Sequence, residues 1–223
     1  MSARIHPLAR VIAAFARGIS GVQIRWQGCV PEPRQRLYFA NHTSHLDFVV
    51  LWSALPVELR VRTRPVAAKD YWQSGFRSFL AQKVFRAVLV ERGRAARSVR
   101  DEHSDDEPSH VKGFAVIEQL AEAMGEQDSL IFFPEGTRGA GEIVGEFKSG
   151  LYHLAKRRPD VELIPAYLEN LNRILPKGEI VPVPLVSVLT FGGPIRVEEG
   201  EHKHEFLERA RNAVVSLRQK GSE

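Results

Sequence analysis

Leu37-Tyr38-Phe39-Ala40-Asn41-His42-Thr43-Ser44-His45-Leu46-Asp47 is the stretch on which the reading of this fold turns. Its apolar first four residues read as a strand, and the polar residues after them read as a turn into a helix over about 44–54. The pattern recurs along the chain. Further candidate strands are Val66–Ala68, Ala87–Val90, Leu130–Phe133, Leu163–Tyr167 and Val186–Phe191. Further candidate helices span about 72–86, 109–124, 149–157 and 203–219. Strands alternating with helices argue for an α/β fold. The expectation is a single domain with a mixed central sheet and helices on both faces, preceded by a short amphipathic N-terminal helix. Residues 1–27 form that N-terminal region in this reading, and residues 28–223 form the domain.

The N-terminal segment carries Ile5, Leu8, Ile12, Phe15, Ile19 and Val22 at spacings of three and four, with Arg10 and Arg17 on the opposite face. Such a stripe packs on a core or lies in a membrane interface. Arg92–Pro108 is polar, charged and without period, which predicts a loop. Leu175–Pro184 holds three prolines, which predicts an extended surface connection.

A chain of 223 residues suits one domain with a sizeable core. The single cysteine, Cys29, excludes an intramolecular disulfide framework and a cysteine-based metal cluster. No run approaches the ~18–20 apolar residues of a membrane span, and no secretory signal pattern is present. The net charge is only +4, but it is unevenly spread. Residues 1–31 contain four arginines and no acid, and residues 60–100 contain eleven Lys or Arg against Asp70 and Glu91. Basic regions suit polyanions: phospholipid head groups, phosphorylated substrates or nucleic acid.

His42 stands five residues before Asp47. Inside one regular helix the two side chains would point about 140° apart. They meet only if His42 ends the strand and Asp47 lies in the first turn of the following helix, with Thr43 or Ser44 as its cap. The pair then offers an imidazole base and a carboxylate that fixes its tautomer. The chain has no G-x-S-x-G elbow to supply a nucleophile, so a substrate hydroxyl is left for that role. Imidazole suits the work because its ordinary titration range leaves it basic near neutrality. His45 competes as a second base or metal partner; a packing or capping role is preferred, and no metal site is expected.

A second block, Phe132-Phe133-Pro134-Glu135-Gly136-Thr137-Arg138, also follows an apolar run. In α/β proteins, ligands bind beyond the carboxyl ends of strands. Gly136 permits close backbone approach to a phosphate, Thr137 supplies a hydroxyl, and Arg138 supplies a planar fork for two oxygens. Glu135 has two readings: an anchor for Arg138 or a partner for a substrate hydroxyl. Arg92 follows a third strand, and Lys148 lies just beyond the second block. Asn41, Lys69 and Lys148 complete the candidate set as supporting residues.

These blocks, in this order, resemble the lysophosphatidic acid acyltransferases (1-acyl-glycerol-3-phosphate acyltransferases) over roughly residues 30–195. Asn41-His42…Asp47 matches their N-H-x4-D block, and Phe133–Arg138 matches F-P-E-G-T-R. Val88–Arg92 resembles a second block ending in arginine, and Leu163-Ile164-Pro165-Ala166 resembles a fourth. The resemblance implies that His42 is the general base and Asp47 its orienting carboxylate. It implies that Arg92, Gly136, Thr137 and Arg138 hold the acceptor phosphate, with Glu135 supporting them. The reaction implied moves a fatty acyl group from acyl-CoA or acyl carrier protein to the free hydroxyl of a lysophospholipid. The acceptor implied first is 1-acyl-glycerol-3-phosphate, giving phosphatidic acid. Another lysophospholipid or glycerol-phosphate acceptor is the alternative within the class, and a non-catalytic anionic-lipid binding module is the alternative outside it. No cofactor is implied beyond the acyl donor as co-substrate. The partners implied are the acceptor, the donor and an anionic membrane surface, without nucleic acid, in a cytoplasmic protein peripherally attached to the membrane. Ala87, Val88, Glu91 and Gly139 depart from the family pattern. Those departures bear on which acceptor is held rather than on the reaction.

Overall fold

The computed structural model describes residues 7–44, 46–72, 75–91, 107–139, 143–169 and 187–218. Arg36–Ala40 (β2) is buried along its whole length, as a strand covered on both faces must be. Its side chains alternate between two cores. Tyr38 and Ala40 join one apolar cluster, and Leu37 and Phe39 join the other. The strand pairs in parallel with Ser129–Phe132 (β5) on one side and Glu162–Glu169 (β6) on the other.

Around this centre a seven-stranded sheet runs in the order β1-β7-β6-β2-β5-β3-β4. Here β1 is Gln23–Trp26, β3 is Thr63–Ala68, β4 is Val88–Val90 and β7 is Val188–Phe191. Among the described strand pairs, β6–β7 alone is antiparallel, so the sheet is mixed. On the Tyr38 face lie α1 (Pro7–Ser20), α2 (Asp47–Ala54), α3 (Val57–Arg60) and a π-helical turn over Leu80–Val84. On the Leu37 face lie α6 (Glu107–Met124), α7 (Gly150–Arg157) and α8 (Lys203–Val215). The α8 stripe Phe206, Ala210 and Val214 is fully buried at a spacing of four, the helical period that one covered face requires.

Several expectations are corrected. Gln23–Trp26, grouped with the N-terminal region by a division at residue 27, is the edge strand of the sheet and pairs with β7. Trp26 stacks on Phe191 with ring centroids 4.1 Å apart. The helix expected over 72–86 is three pieces: α4 (Lys69–Trp72), α5 (Gly75–Phe79) and the π-turn. Gly75 has φ of +56°, a left-handed conformation that a right-handed helix cannot run through. Helix α6 begins inside the segment expected to be a loop. Pro108 sits in its first turn, where a missing N–H costs no hydrogen bond. The Leu175–Pro184 connection lies outside the described residues.

The α1 stripe divides. Ala9 and Ala13 are buried, Leu8 and Ile12 pack partly against the core, and Phe15 is 68% exposed beside Val11 at 63%. Small residues at the contact let α1 approach the core closely, and its outward strip stays apolar. Ile5 lies outside the described residues. No described helix is long and apolar enough to cross a membrane.

Candidate active site

The parallel strands β2, β5, β3 and β4 end on the same edge of the sheet, and the conspicuous polar residues follow those ends. Beyond β2, the Asn41 amide donates to the Leu168 carbonyl at 2.9 Å and accepts from the Leu168 N–H at 2.8 Å. A buried side chain thus prolongs the β2–β6 pairing by one step and fixes where the chain leaves the sheet.

His42 comes next. Its Nδ1 lies 2.8 Å from Oδ2 of Asp47, the first residue of α2. The same oxygen accepts the Thr43 N–H at 2.6 Å and the Ser44 N–H at 2.8 Å. Two backbone donors require an acceptor there, so the proton on the third bond belongs to Nδ1. Nε2 is then left with its lone pair free. Asp47 is fully buried, whereas the His42 side chain is 22% exposed. The pair therefore has a dry carboxylate behind and a reachable base in front. The cap expected from Thr43 or Ser44 is reversed. The α2 N-cap is Leu46, without a side-chain cap, and the Asp47 carboxylate instead holds the amides of the preceding turn. His45 lies outside the described residues.

Beyond β5, Pro134 and Glu135 are the middle residues of a tight turn closed by the Gly136 N–H on the Phe133 carbonyl at 3.0 Å. Proline at the second position suits such a turn, and Gly136 leaves it with φ of +70°. The Phe133 ring stacks on the His42 imidazole, centroids 4.4 Å apart and planes 22° apart. That contact holds the ring plane, as the Asp47 bond holds its rotation.

Glu135 is buried, and both of its oxygens are engaged. Oε1 accepts the His42 N–H at 2.7 Å and Oε2 accepts the Gly145 N–H at 2.9 Å. A carboxylate so occupied faces the protein rather than an anion. Its place in the geometry is to staple the His42 backbone to the loop before α7. Burial pushes the Glu135 carboxyl up from its ordinary value, against the two amides that pull it down. A Cβ at residue 145 would stand 2.8 Å from Oε2, so any side chain there must push the carboxylate off its hydrogen bonds. The Gly139 N–H closes the other side of the loop on the His42 carbonyl at 2.8 Å.

Gly136, Thr137 and Arg138 are exposed at the rim of this arrangement. A Cβ on Gly136 would meet the Lys148 side chain, including Nζ, at 3.1 Å, so the ammonium lies across the Gly136 backbone. Thr137 and Arg138 follow Gly136 directly, so a hydroxyl and a guanidinium are carried by the same exposed segment against which the Lys148 ammonium lies. Lys69, at the end of β3, pairs with Glu91 at 3.2 Å rather than with this segment. Arg92 lies outside the described residues. Phe133, Gly139 and Gly145 escaped the sequence reading as site residues. Of these, Phe133 carried a signal as the first residue of the F-P-E-G-T-R block, and Gly145 as a glycine close to a motif carboxylate.

Residues 22–169 match the family model described as Acyltransferase. The chain is 27% identical over 194 residues to a 1-acyl-sn-glycerol-3-phosphate acyltransferase from Limnanthes douglasii, covering 85% of this chain and 60% of the relative. It is 24% identical over 175 residues to a 1-acyl-sn-glycerol-3-phosphate acyltransferase alpha from Mus musculus, covering 77% of this chain and 54% of that one. The chain therefore spans little more than half the length of these curated relatives. In fold it is similar to the crystal structure of a 1-acyl-sn-glycerophosphate (LPA) acyltransferase, PlsC, from Thermotoga maritima. That match has a TM-score of 0.66 and 19% identity over 97% of this chain and 82% of the other. The matched segment runs from the edge strand β1 through β6 and takes in His42, Asp47 and the Phe133–Arg138 turn, and on that match the chain belongs to the acyltransferase family.

Proposed function

We propose that the protein transfers a fatty acyl group to the free hydroxyl of a lysophospholipid, with 1-acyl-glycerol-3-phosphate as the acceptor and phosphatidic acid as the product. The observation that carries this reading is the His42–Asp47 pair, a reachable imidazole on a buried carboxylate. His42 Nε2 takes the proton from the acceptor hydroxyl. The hydroxyl oxygen attacks the thioester carbonyl of the donor, a carbon–oxygen bond forms and the carbon–sulfur bond breaks. The thiolate leaves and takes the proton back from the imidazolium, giving ester, free thiol and a restored base. Asp47 stabilises the charged imidazole in between without itself taking a proton. Arg138, Thr137 and Lys148, with the open Gly136 backbone, hold the acceptor's phosphate. Names of the relatives support this acceptor. The donor is acyl-CoA or acyl carrier protein.

The acceptor and product are lipids, so the site works at a bilayer surface. The exposed Val11 and Phe15 strip on α1, with the basic residues around it, suits peripheral attachment on the cytoplasmic side. The test uses purified protein with radiolabelled acyl-CoA or acyl carrier protein and a panel of lysophospholipids. The expected result is label in a diacyl phospholipid, absent with His42→Ala. Release of free fatty acid regardless of acceptor would replace transfer by hydrolysis. Lipid binding with no turnover on any acceptor would leave a binding module.

A further inference from the structure

At the far end of α2 from Asp47, an open cleft of about 580 Å³ lies between α1 and the turn into α3. It is lined by Arg10, Arg17, Arg60 and residues 54–57. Eight helical residues separate the two ends of α2, roughly 12 Å along the axis, so the cleft is distinct from the His42 site. Three arginines line one concavity. Arg60 is only 7% exposed. Its Nη2 donates to the carbonyls of Ser53 and Leu55 at 2.8 Å each, and its Cζ lies 5.3 Å from the Trp52 ring centre. Its Nε is buried without a partner. Arg17 spends Nε on a long bond to the Ala13 carbonyl at 3.3 Å.

Among the described residues, none of the three forms an ion pair with a carboxylate. Burial holds the Arg60 pKa down, the charge of Arg17 adds to that, and Glu58 opposes both least. Like charges gathered with Glu58 as a weak counter-charge repel one another, and an anion seated among them removes that repulsion. Guanidinium forks take phosphate oxygens two at a time. The exposed Val11 and Phe15 stand on the same helix as Arg10 and Arg17. Apolar residues beside a cationic cleft suit a ligand with a phosphate at one end and hydrocarbon at the other.

We infer that this cleft binds the phosphate of an anionic lipid head group, as a second site apart from the catalytic one. The test is vesicle binding by the full chain, with phosphatidylcholine alone and with phosphatidylglycerol added. The variants are Arg10→Ala/Arg17→Ala and Arg10→Lys/Arg17→Lys; Arg60 is left in place because it caps α2. All are made in an Arg138→Ala background, which removes the phosphate fork at the other end. The lysine pair keeps the charge and loses the two-pronged contact. Expected is tighter binding to the anionic vesicles, weakened roughly tenfold in both variants, about the weight of one charge-assisted hydrogen bond. Anionic vesicle binding unchanged by the lysine pair would overturn the site, leaving only general attraction. Lysine-sensitive binding of soluble glycerol 3-phosphate without any to vesicles would overturn the lipid assignment in favour of a soluble phosphate ester. The readout is independent of turnover, so His42→Ala protein should bind as the wild type does.

Discussion

Glu135→Gln tests whether the motif carboxylate positions His42 or meets the acceptor. In the wild type, one oxygen accepts the His42 N–H at 2.7 Å and the other the Gly145 N–H at 2.9 Å. A glutamine keeps one oxygen and presents an NH2 where the second stood. One of the two backbone amides then faces another donor in a buried place. Losing a hydrogen bond to a charged group costs about 1.5–3 kcal/mol, and a buried unmatched donor costs about 1–3 kcal/mol more. Removing a desolvated charge offsets part of this, so a net destabilisation of about 2 kcal/mol is expected at neutral pH. The His42 backbone is freed on one side, and a misplacement near 1 Å can cost roughly 100-fold in rate. The expected kinetic result is a large fall in kcat with a small change in the acceptor KM.

The pH dependence adds a second readout. The Glu135 carboxyl is raised by burial above its ordinary value of 4.5. A carboxyl raised in the folded state contributes stability that is fully present below its unfolded-state value and is lost as pH rises through the folded one. Glutamine has no such loss. The destabilisation of the variant relative to the wild type should therefore be largest below pH ~4, the unfolded range for glutamate, and shrink towards neutrality. Urea denaturation across that range measures it. An unchanged kcat with a raised acceptor KM would refute the reasoning, because it would put the carboxylate on the substrate.

His42→Ala or Asp47→Ala should lower acyl transfer by ~10²–10⁴-fold with the fold kept, measured by single turnover alongside circular dichroism. Asp47→Ala should also cost stability, because the Thr43 and Ser44 amides lose their acceptor. Arg138→Ala should raise the acceptor KM about tenfold while the donor KM stays near its wild-type value, and Arg138→Lys should be impaired as well. A loss confined to the donor would move Arg138 to the donor's phosphate. Val11→Asp/Phe15→Asp should lose co-sedimentation with liposomes while still acylating a short-chain soluble acceptor. Both positions are exposed, so the substitutions leave the core alone, whereas Ile12 packs against it.

What the sequence disclosed follows from what kind of group does the work. The β2 run and the His42…Asp47 spacing were legible because a strand end and a first helical turn are local, and side chains five residues apart meet only in that arrangement. Strand β1 is not legible in the sequence because Gln23-Ile24-Arg25-Trp26 is short and half polar. Its exposed and half-buried residues alternate, as on an edge strand, and its anchor is a stack on Phe191, far along the chain. The break at Gly75 depends on a backbone angle that glycine permits but does not announce. Glu135 was the hardest to read, because its partners are the N–H groups of residues 93 positions earlier and 10 later. Every residue except proline carries such a group, so a site built on backbone donors leaves no side-chain pattern behind it. It leaves a trace only where the donor must come so close that a Cβ has no room. Gly145 is such a position, and a glycine ten residues after a buried glutamate is the one mark in the sequence of the loop that holds His42 in place.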